Sequence, residues 1–205
     1  SYNSVIKIIV NELLELWNAG IRFSHNGEMI VIKVALAQIS GDNLGLHSIL
    51  GFSEGFSANW PCRKCKMHKT ECQSSNCEDI LKYRNISNYN SDIATNNLSL
   101  TGLNFESVLN KLPYYHGTKN HVFDIMDDLF EGGGPNLFHL ILTHFIAQGK
   151  ITVDKINYRF ESFDFGMHYN NSRPSQIKQS FLKGETSGGQ NASQNLGLIL
   201  FLPSL

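Results

Sequence analysis

The chain has 205 residues, 41% of them hydrophobic and 17% charged, with 17 Lys and Arg against 18 Asp and Glu for a net charge of −1. Such a chain has the apolar content for a core, and its length suits one domain or a domain with an insertion. The balance excludes a global basic field but leaves room for a local basic patch, and no run of about 18 apolar residues marks a membrane helix.

Residues 4–18 place apolar side chains at 6, 9, 10, 13, 14 and 17, a helical spacing. Ser4 is the expected N-cap and Gly20 the expected stop. Residues 21–26 read as a turn or short strand ending at Asn26-Gly27, a hairpin signal. Residues 29–39 are β-branched early and apolar almost throughout, so a buried central strand is expected. That strand ends at Ser40-Gly41-Asp42-Asn43, which puts Asp42 just beyond it, and a short helix follows over 44–52. Residues 61–77 hold all four cysteines. The Asn- and Ser-rich stretch 84–104 reads as a long loop, and 111–116 as a short strand or turn.

Residues 122–131 are expected to form an acidic helix. Gly132-Gly133-Gly134-Pro135 should break it, with Pro135 in the first turn of a new helix over 136–148. Residues 173–195 are polar and Gly/Ser-rich, as in a linker or lid. One buried strand among helices favours an α/β or α+β layer fold. One strand makes no sheet, Ser1 is not an initiator methionine and the last residues are apolar, so a piece of a longer protein is expected. The expected divisions are a core part at 1–60, a cysteine-containing insertion and loop at 61–110, a second core part at 111–170 and a linker at 171–205.

Three groups of residues bear on chemistry. Cys62 and Cys65, two residues apart, can grip one tetrahedral Zn²⁺ from a tight turn. Cys72 with Cys77, or His68 with one of them, can complete four ligands. Free thiols are the alternative, and a redox Cys-x-x-Cys wants the motif to open a helix after a strand. Around the cysteines stand Arg63, Lys64, Lys66, Lys69, Lys82 and Arg84, with Trp60 nearby. That group reads as a phosphate-contacting patch or as a solvated surface loop. Finally, Asp124, Asp127, Asp128 and Glu131 share one face of an α-helix, opposite Ile125, Met126, Leu129 and Phe130. An all-acidic face either favours the macrodipole of a helix start or holds a cation. Asp42 and Glu131, with a third acid, are the residue types that hold two Mg²⁺ for in-line phosphoryl transfer.

Several blocks also carry a family likeness. Gly41-Asp42-Asn43-Leu44-Gly45-Leu46-His47-Ser48-Ile49-Leu50-Gly51-Phe52 runs into Phe56-Ser57-Ala58-Asn59 and then Cys62-x-x-Cys65. Leu112-Pro113-Tyr114-Tyr115-His116 precedes Asn120 and Asp124-Ile125-Met126. In that order, and with the stretch from Glu12 to Gly20, they resemble the transposase region of eukaryotic CACTA-like (En/Spm-type) DNA transposons and related animal transposon-derived proteins. The likeness spans roughly 10–167. It implies a partial ribonuclease-H-like fold with a zinc-knuckle-like insertion, Asp42 as the second catalytic acid and Glu131 as the third. The first acid would lie upstream of Ser1, so the chain alone is expected to be inactive. The likeness further implies catalytic Mg²⁺, with Asp124 and Asp128 supporting the site, structural Zn²⁺, DNA as partner, a possible homo-oligomer, no membrane and a nuclear location. Two departures stand out. Asp127 replaces a histidine of similar proteins, and Gly133-Gly134-Pro135 falls where their helix continues.

Overall fold

The computed structural model describes residues 2–55, 57–75, 79–184 and 189–201. The described fold is mixed α/β and mostly helical, with a single two-stranded antiparallel sheet among the described residues. The chain divides into two compact units, Ser1–Phe123 and Asp124–Leu205.

The first unit opens with α1 (Tyr2–Asn18), followed by β1 (Ile21–His25) and β2 (Glu28–Ile32). Both turn residues of this hairpin, Asn26 and Gly27, have positive φ (53° and 83°). That is the requirement of the tight turn whose twist matches its strands, and Asn-Gly meets it at least cost. The register pairs Ile21 with Ile32 and Phe23 with Ile30. The expected buried central strand over 29–39 is not formed. β2 stops at Ile32, and its side chains, like those of β1, are exposed apart from a half-buried Ile30. Beyond it only Ile39 pairs, in an isolated parallel bridge with His121. An apolar run does not distinguish a central strand from an outer hairpin, because the number of strands beside it decides that.

Helix α2 (Asn43–Leu50) follows as expected, capped by Asp42 and closed by Gly51 in the left-handed region. Helix α3 (Lys69–Ser74) starts from His68 with a reciprocal capping box to Glu71. The stretch expected to be a long loop folds instead into α4 (Ile86–Thr95) and α5 (Leu98–Thr101). The asparagines that make it look loop-like are the N-caps: Asn85 Oδ1 accepts from Asn88 N at 3.0 Å and Asn97 Oδ1 from Leu100 N at 3.3 Å. The core gathers Val10 of α1, Leu50 of α2, Phe52, Tyr89 of α4, Leu103, Leu109, Leu112 and Tyr115.

In the second unit the acidic segment and the helix after it are continuous. A π-helical stretch (Met126–Gly133) passes directly into α6 (Gly134–Ala147), so the glycines and Pro135 do not break the helix. The Gly134 N–H reaches back five residues to the Leu129 carbonyl. Pro135 has no N–H to donate, and nearby the Phe130 carbonyl accepts from Asn195 Nδ2 at 2.7 Å instead. Glycines before the proline let the chain wind more widely for one turn, the usual form of a π-bulge.

Helices α7 (Val153–Ser162), α8 (Gly166–Tyr169), α9 (Gln179–Leu182) and α10 (Ala192–Phe201) complete this unit. Its core joins Phe138 and Leu142 of α6, Val153, Ile156 and Phe160 of α7, Ile177, Phe181 and Leu198. Part of the expected linker over 173–195 is therefore core. Ile177 and Phe181 supply the apolar anchors, and Asn157 clasps the Ile177 backbone on both sides, at 3.1 and 2.8 Å. Among the described residues no helix is long and apolar enough to cross a membrane.

Candidate functional site

The cysteine segment turns sharply at Cys62. The backbone N–H groups of Lys64 and Cys65 both point at the Cys62 sulfur, each at 3.3 Å. Cys65 interacts with the Cys62 sulfur, and Cys72 with the Cys65 sulfur. The Cys65 thiol is pushed up to about 12, by burial first and then by the charge of Cys62. Cys72 is raised by burial and again by Cys62. Three sulfurs are thus neighbours, and without a cation they resist ionising together. Among the described residues no three His, Cys, Asp or Glu side chains form a closed cage for a metal ion. Cys77, the fourth cysteine, lies outside the described residues. Thiols are the donor type that suits Zn²⁺, but Cys62, Cys65 and Cys72 are not arranged here as a group that could hold a metal ion. His68 Nδ1 lies 2.9 Å from the Thr70 hydroxyl and caps α3, and its ring stands edge-on to Trp60 at 5.4 Å.

A short antiparallel bridge, Cys65 with Tyr83, pins the cysteine turn to the segment before α4. Lys66 N donates to the Lys82 carbonyl at 2.7 Å and Arg84 N to the Lys64 carbonyl at 2.9 Å. Arg84 then enters the interior. Its side chain is fully buried, with Nε on the Cys62 carbonyl at 3.2 Å, Nη2 on the Thr101 carbonyl at 3.0 Å and Nη1 on Asp92 at 3.4 Å. Lys66 takes the other Asp92 oxygen at 2.8 Å.

Most of the basic residues expected to form either a phosphate-contacting patch or a solvated loop make contacts within the fold, and their four lysines stay partly exposed. Arg63 and Arg84 are buried, Lys66 and Lys82 are held by Asp92 and Glu71, and Lys64 lies over the Tyr83 ring. Buried charges must be paired, and the buried Arg84 charge finds Asp92 within the fold.

Asp42 serves as the N-cap of α2. Its Oδ1 accepts from Gly45 N at 2.6 Å, and its backbone carbonyl accepts from Leu46 N at 2.9 Å. The side chain is exposed at the rim of an open cleft of about 550 Å³ that Leu44, Ser48 and Glu54 also line. Glu54 had no distinguishing signal in the sequence; it reaches the cleft from the segment after Gly51.

In the second unit, Glu131 Oε1 accepts from Ala192 N at 3.2 Å, which makes it a donor-satisfying group at the start of α10. Asp124 Oδ1 accepts from Met126 N at 2.8 Å at the start of the acidic segment. The π winding separates the acids from the single α-helical face expected of them, since a turn now spans more than four residues. Of the expected apolar face only Phe130 is buried, and Ile125, Met126 and Leu129 are exposed. Asp42 belongs to the first unit, and Asp124, Asp128 and Glu131 to the second.

No family model matches this chain, and no curated protein or solved structure matches it either.

Proposed function

We propose that the chain is part of a transposon-derived DNA transposase of ribonuclease-H-like fold, with Asp42 and Glu131 as two of its acids and a zinc knuckle inserted between them. The resemblance in the order of the Asp42, Cys62–Cys65 and Asp124–Met126 blocks carries this reading. The structure supports it in one respect that both acids share. Each carboxylate gives one oxygen to a backbone N–H, Asp42 to Gly45 and Glu131 to Ala192. That bond fixes the rotamer and leaves the second oxygen for a hard cation, the ligand type that Mg²⁺ selects. Bound divalent cations would neutralise charge on the attacking and leaving oxygens of a phosphodiester. The half-exposed apolar residues of the hairpin, among them Ile21, Phe23 and Val31, are compatible with a sheet that continues beyond this segment.

On this reading Asp42 and Glu131 are two of the three acids the reaction needs, so we expect no Mg²⁺-dependent nicking of supercoiled DNA by these 205 residues. A longer product carrying an Asp-bearing strand upstream should nick it. Asp42→Asn and Glu131→Gln should each abolish that activity and leave the melting curve unchanged, because Asn caps a helix as well as Asp does. Nicking that survives both substitutions refutes the reading.

A second reading is supported by the paired amide donors on Cys62. Under it the chain is a zinc-dependent binding module without catalysis. DNA or protein binding that survives Glu131→Gln and is lost on chelation distinguishes it.

A further inference from the structure

Helix α6 has two apolar sides. Phe138 and Leu142 belong to the core of their unit, while Gly133, just before the helix, and Leu137, Leu140, His144 and Ala147 lie exposed along the other side. Their steps of four, three, four and three residues are those of a coiled-coil seam. Leu137 is 60% exposed and Leu140 63%, and the exposed apolar side chains run on into the π-helical stretch with Leu129 and Met126. Leu140 also borders an open groove of about 610 Å³, with Ile141, Thr143, His144 and Phe145. An apolar stripe of this length on a helix is the mark of an interaction surface. The charges around it say what fits. Asp127, Asp128 and Glu131 stand at its start, and the next Asp, Glu, Lys or Arg in the chain is Lys150, just past its end. Asp128 lies nine residues before Leu137 and Lys150 ten residues after Leu140, and both are exposed. The stripe is therefore complementary to its own reversed copy, whereas a parallel copy would set acids against acids.

We propose that this stripe is a self-association surface, on which a second copy of the chain packs its α6 antiparallel about a two-fold axis between Leu137 and Leu140. Leu137 of each copy then meets Leu140 of the other. His144 falls opposite Gly133, whose missing side chain leaves room for the imidazole and for a close approach of the two backbones. At either end the acids of one copy approach Lys150 of the other. A two-fold contact uses the same patch on both molecules, so each of these pairs occurs twice. The seam is one helix wide, which puts it below the roughly 1,200 Å² of total buried surface that stable complexes reach. The dimer is accordingly weak and forms as concentration rises.

The test is sedimentation velocity of the 205-residue chain from low to high micromolar concentration, with circular dichroism melting of dilute samples as the check on folding. The unsubstituted chain should pass reversibly from monomer to dimer. Leu140→Glu should raise the dissociation constant at least about tenfold, because it sets an ionised group into each half of the seam. Its melting curve should stay that of the parent, since residue 140 faces solvent in the monomer. Lys150→Glu should raise the constant about fivefold, the effect of losing two exposed ion pairs, and adding Asp128→Lys to it should bring the constant back. A chain that stays monomeric at every concentration overturns the proposal and leaves the stripe to a different partner. A dimer indifferent to Leu140→Glu overturns it by placing the contact elsewhere. A Lys150→Glu defect that Asp128→Lys does not repair overturns the antiparallel arrangement.

Discussion

Replacing Asp92 by Asn should destabilise the first unit by about 3 kcal/mol. The Asp92 side chain is 9% exposed and serves two cations, Arg84 with a wholly buried side chain and Lys66 with a third of its side chain exposed. Lys66 can turn to water, so losing its bond costs little. Arg84 cannot, and removing one partner of a buried pair typically costs about 3–5 kcal/mol. The carbonyls of Cys62 and Thr101 and the Phe52 ring still hold the guanidinium, which places the cost at the lower end. A folded unit of this size holds roughly 6–18 kcal/mol, so the variant should still fold. Urea unfolding followed by tryptophan fluorescence is the assay, because both tryptophans, Trp17 and Trp60, belong to the first unit. The midpoint should fall by about 1–3 M at ordinary urea dependence. Replacing the pair with apolar residues, Arg84→Met with Asp92→Leu, should recover most of the loss, since no charge then remains buried. An Asp92→Asn midpoint within experimental scatter of the unsubstituted chain, or a double variant no better than the single one, would refute the argument.

Two further outcomes follow from the same geometry. Folding holds the Cys65 proton up to about 12, against an ordinary cysteine value of 9.0, so between those values the folded state binds more protons than the unfolded one. Metal-free chain should therefore be insensitive to this group below pH 9 and lose stability as pH rises above it; urea midpoints at pH 8 and 10.5 should differ less in Cys65→Ser than in the parent, and an equal difference would exclude the effect. In the π-helical turn, a Cβ on Gly134 would lie 2.7 Å from the Leu129 carbonyl oxygen, whereas one on Gly133 would have its nearest neighbour at 3.8 Å. Gly134→Ala should lower the melting temperature seen by circular dichroism and Gly133→Ala should raise it slightly, by the ~0.5–1 kcal/mol that alanine gains over glycine in a helix; equal effects would mean that the turn is wound as an ordinary α-helix.

Local signals in the sequence were legible wherever the chain answers to its own neighbours. The Asn26-Gly27 turn, the helix after Asp42 and the apolar spacing of α1 needed no distant partner to be recognised. The misreadings all depend on something the local pattern does not contain. The run over 29–39 looks like a central strand because apolar β-branched residues suit one, but β2 pairs only with β1 and remains exposed. The segment 84–104 looks like a loop because asparagine is common in loops, yet Asn85 and Asn97 each cap a helix. The Gly-Gly-Gly-Pro stretch looks like a stop. It continues as a wider turn because Asn195, some sixty positions later, supplies a donor to the Phe130 carbonyl. At the candidate site the cysteine turn was recognisable from spacing alone, whereas the links of Arg63 and Arg84 to distant acceptors carry no sequence signature.

Those two arginines bear on how the cysteine segment relates to the rest of the first unit. A freestanding zinc module would satisfy its charges internally or in water. Here Arg63 reaches Asn43 and Val122, Arg84 reaches Asp92 and Thr101, and Trp60 Nε1 donates to the Ser99 carbonyl at 3.0 Å. Excised as residues 60–84, the segment would expose a tryptophan and two arginines whose donors it cannot occupy, while the remainder would keep a buried Asp92 without its cations. The segment and the core thus depend on one another for charge balance. A change at the cysteine turn therefore acts on the rest of the first unit, including the turn that holds Asp42, through Arg63 and Arg84.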